Sequence, residues 1–424
     1  MSDTHSPTSI SPTSDSTPPQ ELDVVIVGGG MVGGAVATAL LQTNLSIGVI
    51  EKKLPQPFDP EAMPDLRVSA LNHGSENFLR GINAWSALQA MRSQPYRRLA
   101  VWEKLPDLVN VLVPGQPNRT EFNAEEVGAS HLGYIVENRV IQLALQQQWQ
   151  PAENVTVFED VQVNDLLTSE HSVDVKLSNG QTLRTKLVIG ADGANSTVRQ
   201  KAQLGLTSDA YNQHAMVISV VTDGPDQDIT WQEFTSHGPR AYLPLPSING
   251  STHASLVWYD HPDRLATLLA MDEEALIRAI HKEFPESLPQ VRQILGRGSF
   301  PLVKRHAQHY YRGRVVLAGD SAHTINPLAG QGVNLGFQDA KVLTDGILKA
   351  VQDSGDPGNP ECLAAYENNR RPANFRMMTL MDGFYYTFSN DLAPVKLIRN
   401  LGLTAAGHLK PAKRQVLKYA MGLS

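Results

Sequence analysis

The chain has 424 residues, of which 41% are hydrophobic, and its formal net charge is −7 at pH 7. This length allows two or three domains with sizeable cores, and the acidic balance argues against a general nucleic-acid-binding protein. Cys362 is the single cysteine, which excludes disulfide frameworks, iron–sulfur clusters, cysteine-based zinc sites and a catalytic dithiol. We therefore expect a protein of a reducing compartment, the cytoplasm, without a metal site.

Residues 1–20 differ in composition from the rest of the chain. This segment contains six Ser, four Thr and four Pro. It cannot bury enough apolar surface to fold, which predicts a disordered tail. The segment lacks the apolar core of a secretory signal and the Arg and Lys residues of a mitochondrial leader. No run of about 18 consecutive apolar residues occurs in the chain, so no transmembrane helix is expected.

The first folded element predicted is a dinucleotide-binding unit. Residues 23–27 form a short β-branched run, typical of a buried parallel strand, and Gly28, Gly30 and Gly33 follow it. In such a loop the first glycine allows the turn and the second lets a pyrophosphate approach. The third permits close packing of a helix, predicted for residues 31–41, on the strand. The helix N-terminus offers free N–H groups to the phosphates.

A second strand, predicted for residues 47–50, ends in Glu51. An acid at this distance from the glycine loop accepts hydrogen bonds from ribose hydroxyls. A free diol, as in NAD or FAD, is therefore favoured over NADP. The loop alone does not separate NAD from FAD, and a glycine turn in a nucleotide-free α/β unit is the alternative.

Two later segments share the order of strand, glycine turn and helix. Residues 187–199 contain Asp192 within such a turn, and residues 314–336 contain Gly319 and Asp320. An Asp at a strand end can hold a polyol hydroxyl, and a glycine-rich loop that enters a helix can hold an oxygen of a planar ring. Distant parts of the chain therefore converge on one long cofactor, and their spacing fits FAD.

These residues carry a resemblance to a known family. The two later segments resemble the DG and GD motifs of group A flavoprotein hydroxylases, the p-hydroxybenzoate hydroxylase type. The pattern from His323 to Gly336 resembles the ubiquinone-biosynthesis branch, and the match covers roughly residues 22–424. Other segments resemble the enzymes of that branch that hydroxylate a polyprenyl methyl-methoxy-benzoquinol: residues 95–98, 230–232, 238–241, 255–260 and 399–403.

The resemblance implies an α/β fold, with a Rossmann-like FAD domain of the p-hydroxybenzoate hydroxylase type, an inserted β-sheet substrate domain and C-terminal helices. Aromatic residues of the inserted sheet either line a quinol pocket or pack in its core: Trp231, Phe234, Tyr242, Trp258 and Tyr259. The expected bounds are residues 1–20 for the tail, 21–75, 131–205 and 300–370 for the FAD domain, 76–130 and 206–299 for the substrate domain, and 371–424 for the C-terminal helical segment.

The resemblance also assigns binding roles along the cofactor. The ADP half of FAD would be held by Gly28, Gly30, Gly33 and Glu51. Asp320 would bind the ribitol, next to Asn138, at a position where wider relatives have Arg or Gln. Arg67 would reach the flavin side or the incoming nicotinamide cofactor. Asp192 and Arg199 belong to a motif that serves both FAD and NAD(P)H, and the alternative is that Asp192 caps its own turn.

Around the flavin ring, the family pattern implies contacts from Gly330, Gly332, Val333 and Asn334. Pro327 would lie beside the ring and face the substrate. His323 is a candidate catalytic base, and its alternative role is to stabilise the GD loop.

The implied activity is a monooxygenase reaction. NAD(P)H reduces FAD, O₂ adds to the reduced flavin, and the flavin hydroperoxide hydroxylates a polyprenyl methyl-methoxy-benzoquinol in ubiquinone biosynthesis. Three alternatives stay open. They are a sister hydroxylase for another ring position, a flavoprotein reductase of prenyl double bonds, and a non-catalytic scaffold of a quinone-synthesis complex.

The C-terminal segment indicates a membrane partner. Residues 391–424 include six basic residues and one acidic residue. Mixed with apolar residues at near-helical spacing, they favour peripheral contact with the anionic cytoplasmic face of the inner membrane, where a polyprenyl substrate resides. A solvated helix face is the alternative. A homo-oligomer and a complex with other ubiquinone-biosynthesis enzymes are further expected partners.

Overall fold

The computed structural model describes residues 18–104, 118–325, 332–388 and 421–422. The tail up to residue 17, Pro327, Gly330 and nearly all of the basic C-terminal segment lie outside these ranges. The described strands are β1 (Gln20–Val27), β2 (Ile47–Glu51), β3 (Val68–Asn72), β4 (Gln94–Tyr96), β5 (Arg98–Glu103), β6 (Thr120–Asn123), β7 (Gly133–Glu137), β8 (Val155–Glu159), β9 (Val163–Thr168), β10 (Val173–Leu177), β11 (Thr182–Gly190), β12 (Leu206–Thr222), β13 (Ile229–Phe234), β14 (Arg240–Ile248), β15 (Ser251–Asp260), β16 (Val291–Ala307), β17 (Tyr311–Arg312), β18 (Val315–Leu317) and β19 (His323–Thr324). The described α-helices are α1 (Met31–Leu40), α2 (His73–Gly81), α3 (Trp85–Met91), α4 (Asn138–Trp149), α5 (Thr197–Lys201), α6 (Pro262–Ala270), α7 (Glu273–Glu283), α8 (Gly332–Ser354) and α9 (Pro360–Phe388).

The first sheet is built around the predicted dinucleotide-binding strand. Its path is β17-β18-β11-β1-β2-β8, with β10 and β9 added beside β11. The strands β18, β11, β1, β2 and β8 run parallel to one another. Val24, Val25 and Ile26 of β1 are fully buried, as in a parallel sheet that is covered on both faces. This burial explains why residues 24–27 of β1 are a continuous apolar run rather than an alternating one.

A second sheet has the order β19-β16-β12-β15-β14-β13-β5-β6. It is antiparallel except where β13 pairs with β5. The helices α6 and α7 pack on this sheet, and Leu265, Leu268, Leu276 and Ile280 share its apolar cluster. A three-stranded sheet, β3-β7-β4, completes the architecture of the described ranges.

The aromatic residues of the second sheet are mostly core residues. Trp231, Tyr242 and Trp258 are buried in the cluster that the sheet shares with α6 and α7. The core-packing alternative therefore describes these three side chains, and Phe234 is half-buried. Tyr259 is also buried, but it packs in a different cluster, with Leu302, Ile325 and residues of α9.

The helices α2 and α3 pack with the first sheet. Phe78, Leu79, Trp85 and Leu88 belong to the same core cluster as β1 and β11. Residues 76–91 of these helices fall within the expected bounds of the substrate domain, which begins at residue 76. The helix α9 runs without a break through the expected boundary at residue 370. None of the helices in the described ranges has the length and apolar character needed to cross a lipid bilayer.

One side chain of α1 joins the first cofactor motif to the last. A Cβ atom added at Gly319 would lie 2.9 Å from Cγ2 of Val32, and one added at Gly336 would lie 2.6 Å from the same atom. Gly319 also has a φ of +63°, which disfavours any residue with a side chain. The turn after β18 and the start of α8 can therefore approach α1 only because both positions are glycine.

The substitution Gly336→Ala is expected to lower the free energy of unfolding by about 1–3 kcal/mol, because the added methyl would overlap with Val32. Denaturant unfolding measures the change. In a Val32→Ala background the same methyl has room, so the loss of stability caused by Gly336→Ala should be much smaller. Gly81→Ala is the matched control, since a Cβ there meets no atom within 4 Å. An equal cost in both backgrounds would show that the Val32 contact is not the cause.

Candidate active site

Three loops meet at one edge of the first sheet. Val27 of β1 pairs with Gly190 of β11, and Gly190 pairs with Leu317 of β18. Because these parallel strands end in register, the glycine loop, the turn at Asp192 and the turn at Asp320 follow from neighbouring strand ends. Ligands of open α/β sheets bind at this carboxyl edge. The structure thus brings together the motifs that the sequence separates by about 290 residues.

The glycines of the first loop have two different roles. Gly28 has a φ of +99°, and a Cβ there would lie 2.5 Å from the carbonyl oxygen of Ala191. A Cβ at Gly33 would lie 1.8 Å from the carbonyl oxygen of Gly28. Protein packing therefore requires these two glycines. At Gly30, by contrast, the nearest atom to an added Cβ is Nε2 of Gln142, at 3.9 Å, so the N-terminus of α1 faces open space that suits a pyrophosphate.

Glu51 lies at the end of β2 and contacts the glycine loop. One carboxylate oxygen accepts a hydrogen bond of 2.7 Å from the N–H group of Gly29. The other accepts one of 3.0 Å from the N–H group of Lys53. These bonds hold the acid beside the loop, where the sequence predicts a ribose contact. The ribose contact itself stays a prediction.

The helix α4 carries Asn138, which the family pattern predicts, and Gln142, which sequence reasoning missed. Asn138, its first residue, accepts a hydrogen bond of 2.7 Å from the hydroxyl of Ser69, and its N–H group donates to the carbonyl oxygen of Arg67. Asn138 is therefore tied to β3. Gln142, one turn later on the same helix face, is the side chain that reaches the glycine loop. Its spacing of four residues from Asn138 is the signal that could have identified it.

The turn after β11 is held by its own residues. One carboxylate oxygen of Asp192 accepts hydrogen bonds from the N–H groups of Thr197 and Val198, at 2.7 and 3.1 Å. The turn-capping alternative therefore describes this oxygen. The other oxygen, Oδ1, is buried and has no hydrogen-bond partner in the part of the chain that the structure describes. The guanidinium of Arg199 donates to the carbonyl oxygen of Ser321, so it links this turn to the turn after β18.

Asp320 lies in a concave part of the surface at the sheet edge, called the cleft below, because its side chain is exposed while protein atoms surround it. Solvent reaches its side chain, and the carboxylate has no hydrogen-bond partner within the described ranges. Protein atoms nevertheless crowd around it, and this desolvation raises the pKa of Asp320, an effect that the charges of His323 and Arg67 oppose. Arg67 itself is exposed. An accessible, unpaired carboxylate inside a cleft is suited to accept hydrogen bonds from polyol hydroxyls.

His323 does not face this cleft. Its side chain is 2% exposed and donates a hydrogen bond of 2.5 Å from Nε2 to Asp339. The imidazole ring also stacks on Tyr310. These contacts support the alternative role of His323, the stabilisation of the GD loop. A role as catalytic base stays untested.

The start of α8 carries the residues predicted to line the flavin ring. A Cβ added at Gly332 would meet no atom within 4 Å, and Val333 is half-buried. The side chain of Asn334 is buried and bonds to the protein. It accepts from the N–H group of Asn72 and the hydroxyl of Ser75, and it donates to the carbonyl oxygen of Ala70. Asn334 therefore fixes the start of α8 on β3 and α2.

An apolar cluster flanks the predicted ring-binding segment. Ile325 precedes residues 326–331 and Leu335 follows them, and both pack in this cluster. Its other members come from the second sheet and from α9: Ala215, Tyr259, Leu302, Met377, Met378 and Met381. Methionine side chains adapt to irregular apolar partners. The cluster thus provides an apolar wall between the second sheet and α9.

Comparison with known proteins agrees with this geometry. The sequence family described as "FAD binding domain" matches residues 21–380. The chain is 43% identical to the 3-demethoxyubiquinol 3-hydroxylase of Escherichia coli, over 95% of this chain and 99% of that protein. It is 35% identical to the ubiquinone hydroxylase UbiL of Rhodospirillum rubrum, over 94% and 89%. It is 34% identical to the mitochondrial ubiquinone biosynthesis monooxygenase COQ6 of Xenopus tropicalis, over 96% and 94%.

Solved structures show the same fold. The p-nitrophenol 4-monooxygenase PnpA of Pseudomonas putida superimposes with a TM-score of 0.76 at 19% identity, over 96% of this chain and 99% of that one. PqsL of Pseudomonas aeruginosa, in complex with 2-aminobenzoylacetate, gives a TM-score of 0.73 at 18% identity, over 91% and 99%. The predicted fold class and the predicted FAD cofactor are confirmed.

Asp320→Ala is expected to weaken FAD binding by about tenfold to a hundredfold, because it removes a charged acceptor of hydrogen bonds from the cleft. Titration of the apoprotein with FAD, followed by flavin fluorescence, measures the change. The fold should persist, since the wild-type carboxylate has no hydrogen bond to the described protein. Asp345→Ala, on the exposed face of α8, is the matched control. Wild-type affinity in Asp320→Ala would contradict the assignment.

Proposed function

Because this chain belongs to the FAD-dependent hydroxylase family of ubiquinone biosynthesis, we propose that it hydroxylates a 2-polyprenyl-3-methyl-6-methoxy-1,4-benzoquinol, with NAD(P)H and O₂ as co-substrates. The observation that carries the choice of substrate is the near full-length similarity to the 3-demethoxyubiquinol 3-hydroxylase. The site supports the FAD-dependent part of the proposal, because the three loops at the sheet edge suit an extended dinucleotide cofactor. Bound FAD supplies the redox chemistry, accepting hydride and activating O₂ for transfer of oxygen to the ring.

The residues of the chain bind and orient this cofactor. The glycine loop and the N-terminus of α1 receive the pyrophosphate at the open position beside Gly30. Glu51 holds the ADP ribose, and Asp320 holds the ribitol in the cleft. Arg67, exposed and close enough to influence the charge of Asp320, provides a cation for the flavin side or for the nicotinamide cofactor.

We propose that the apolar wall between the second sheet and α9 positions the substrate. By the family pattern, Pro327 and Gly330, which lie between Ile325 and Leu335 in the sequence, would contact the flavin ring. A wall that includes Tyr259 and three methionines of α9 excludes water from the reacting carbon and accommodates an apolar quinol. Burial raises the pKa of Tyr259, which keeps its hydroxyl protonated.

A second candidate is a sister hydroxylase that acts at another ring position of the same pathway. The similarity to UbiL and to COQ6 favours it, because those proteins carry the broader names of a ubiquinone hydroxylase and a ubiquinone biosynthesis monooxygenase. The ring position that is hydroxylated distinguishes the two candidates.

Incubation with the quinol, NAD(P)H and ¹⁸O₂ is expected to give a product with one heavy oxygen on the single unsubstituted ring carbon. The two hydroxyls and the methoxy group make the reduced ring electron-rich, so the oxidised quinone should not react. Mass spectrometry and fragmentation locate the label. Unlabelled product would exclude a monooxygenase reaction. Turnover of only an earlier monophenol would favour the sister hydroxylase.

We propose that the C-terminal part of the chain contacts an anionic membrane surface. In the described part of α9, Phe375, Leu380 and Tyr386 are exposed apolar or aromatic side chains. The basic residues that follow in the sequence lie outside the described residues. Exposed apolar groups next to a cationic segment suit a bilayer that contains anionic lipids.

Flotation with liposomes of anionic lipid is expected to recover the protein at low salt and to recover less as salt rises, because ions screen the basic segment. Replacement of Lys410, Lys413, Arg414 and Lys418 by Gln should abolish flotation while the protein keeps its FAD. Liposomes of neutral lipid provide the control. Binding that is independent of salt, or no binding at all, would favour a solvated helix face.

A further inference from the structure

Asp339 of α8 is a buried carboxylate that joins three parts of the chain. One oxygen, Oδ2, accepts hydrogen bonds from the N–H group of Gly319, at 3.2 Å, and from Nε2 of His323, at 2.5 Å. The other, Oδ1, accepts from Nε of Arg370, at 2.8 Å, and from the amide of Asn374, at 3.0 Å. One carboxylate therefore contacts the turn after β18, the strand β19 and the helix α9.

The carboxylate is completely buried, yet its surroundings lower its pKa below the ordinary value. Desolvation alone would raise the pKa of Asp339, but the charges and hydrogen bonds of His323 and Arg370 hold it at about 2. An ionised buried group is stable only while its partners stay in place. The carboxylate and its four donors therefore form one hydrogen-bonded unit.

This unit contacts the backbone directly beside Asp320. The Asp320 side chain has no hydrogen bond within the described ranges, so its own contacts do not orient it. The backbone fixes the direction of its Cα–Cβ bond, and the preceding residue, Gly319, has the left-handed φ of +63°. The N–H group of that glycine donates the hydrogen bond that Asp339 accepts. On the opposite side, Arg199 donates a hydrogen bond to the carbonyl oxygen of Ser321, so the turn is held at both ends.

The same unit extends to α9. Arg370 and Asn374 lie one helical turn apart, and Arg370 donates a further hydrogen bond of 2.9 Å to Asn374. Both side chains are buried. Any displacement of α9 would withdraw two of the four donors from Asp339, and any displacement of the turn after β18 would withdraw another.

We propose that Asp339 is a positioning residue that presents Asp320 to the ribitol of FAD and couples the binding of FAD to the packing of α9. The inference rests on the proposed role of Asp320 as the ribitol ligand. It assigns Asp339 no contact with the cofactor or the substrate. Asp339 acts through the N–H group of Gly319, and α9 acts through Asp339.

A double-mutant cycle on FAD affinity tests the proposal. Asp339→Asn conserves shape but replaces one acceptor oxygen by a donor, so it should weaken FAD binding to the apoprotein by roughly tenfold or more. In an Asp320→Ala background most of that loss should vanish, because there is no longer a carboxylate to position. Asp345→Asn, on the exposed face of the same helix, is the control and should leave the affinity unchanged.

Hydrogen exchange provides a second measurement. FAD should slow amide exchange in α9 around residues 370–374 of the wild-type protein, and this protection should be lost in Asp339→Asn. If Asp339→Asn does not fold, Asn374→Ala removes one donor and keeps the pair of Asp339 with Arg370. That variant should show a smaller loss of affinity with the same dependence on Asp320.

The outcomes separate the proposal from its alternatives. An equal loss of affinity in both backgrounds, or an unchanged affinity in Asp339→Asn, would overturn the positioning role. Wild-type affinity in Asp320→Ala would overturn it as well, because the proposed route passes through that carboxylate. The proposed reaction is tested separately by the labelled product. A protein that shows the expected coupling but makes no hydroxylated quinol would contradict the function and not the role of Asp339.

Discussion

The close contact of α1 with the turn after β18 and with the start of α8 constrains the whole site. Val32 lies so near to Gly319 and Gly336 that neither can carry a side chain without displacement. Gly33 lies closer still to the backbone of Gly28, since a Cβ added there would lie 1.8 Å from the carbonyl oxygen of Gly28. Since the backbone segments pack directly on one another, the glycine loop, the turn after β18 and the start of α8 lie close together at the edge of the sheet.

The parts of the fold that the sequence predicted are those that local backbone chemistry determines. A buried parallel strand needs a continuous apolar run, and β1 has one. A left-handed turn or a close backbone approach needs glycine, and Gly28 and Gly33 meet those demands within a few residues. Glu51 and Asp320 could be located as well, because an acid at the end of a parallel strand must lie at the ligand edge of the sheet.

Side-chain partners across distant segments could not be predicted in the same way. Asn334 matches a family pattern for the flavin ring, yet its side chain bonds to residues about 260 positions earlier. Asp192 caps its own turn with one oxygen, and Gln142 reaches a loop more than a hundred residues away. No motif marks Asp339, because its four donors come together only after the chain has folded. The aromatic residues of the second sheet illustrate the same limit, since alternation indicates a buried face but not what covers it.

The order of the strands has a consequence for the biogenesis of the protein. The sheet edge needs β1, β11 and β18, and the pairing residues Val27, Gly190 and Leu317 span most of the chain. A growing polypeptide therefore carries an exposed glycine loop long before the ribosome has made the turn that completes the cleft. Contacts between such distant segments form slowly, since a long loop must close before they are gained. A ligand that contacts all three strand ends stabilises the closed sheet over partly folded forms, in which one of these ends is still missing.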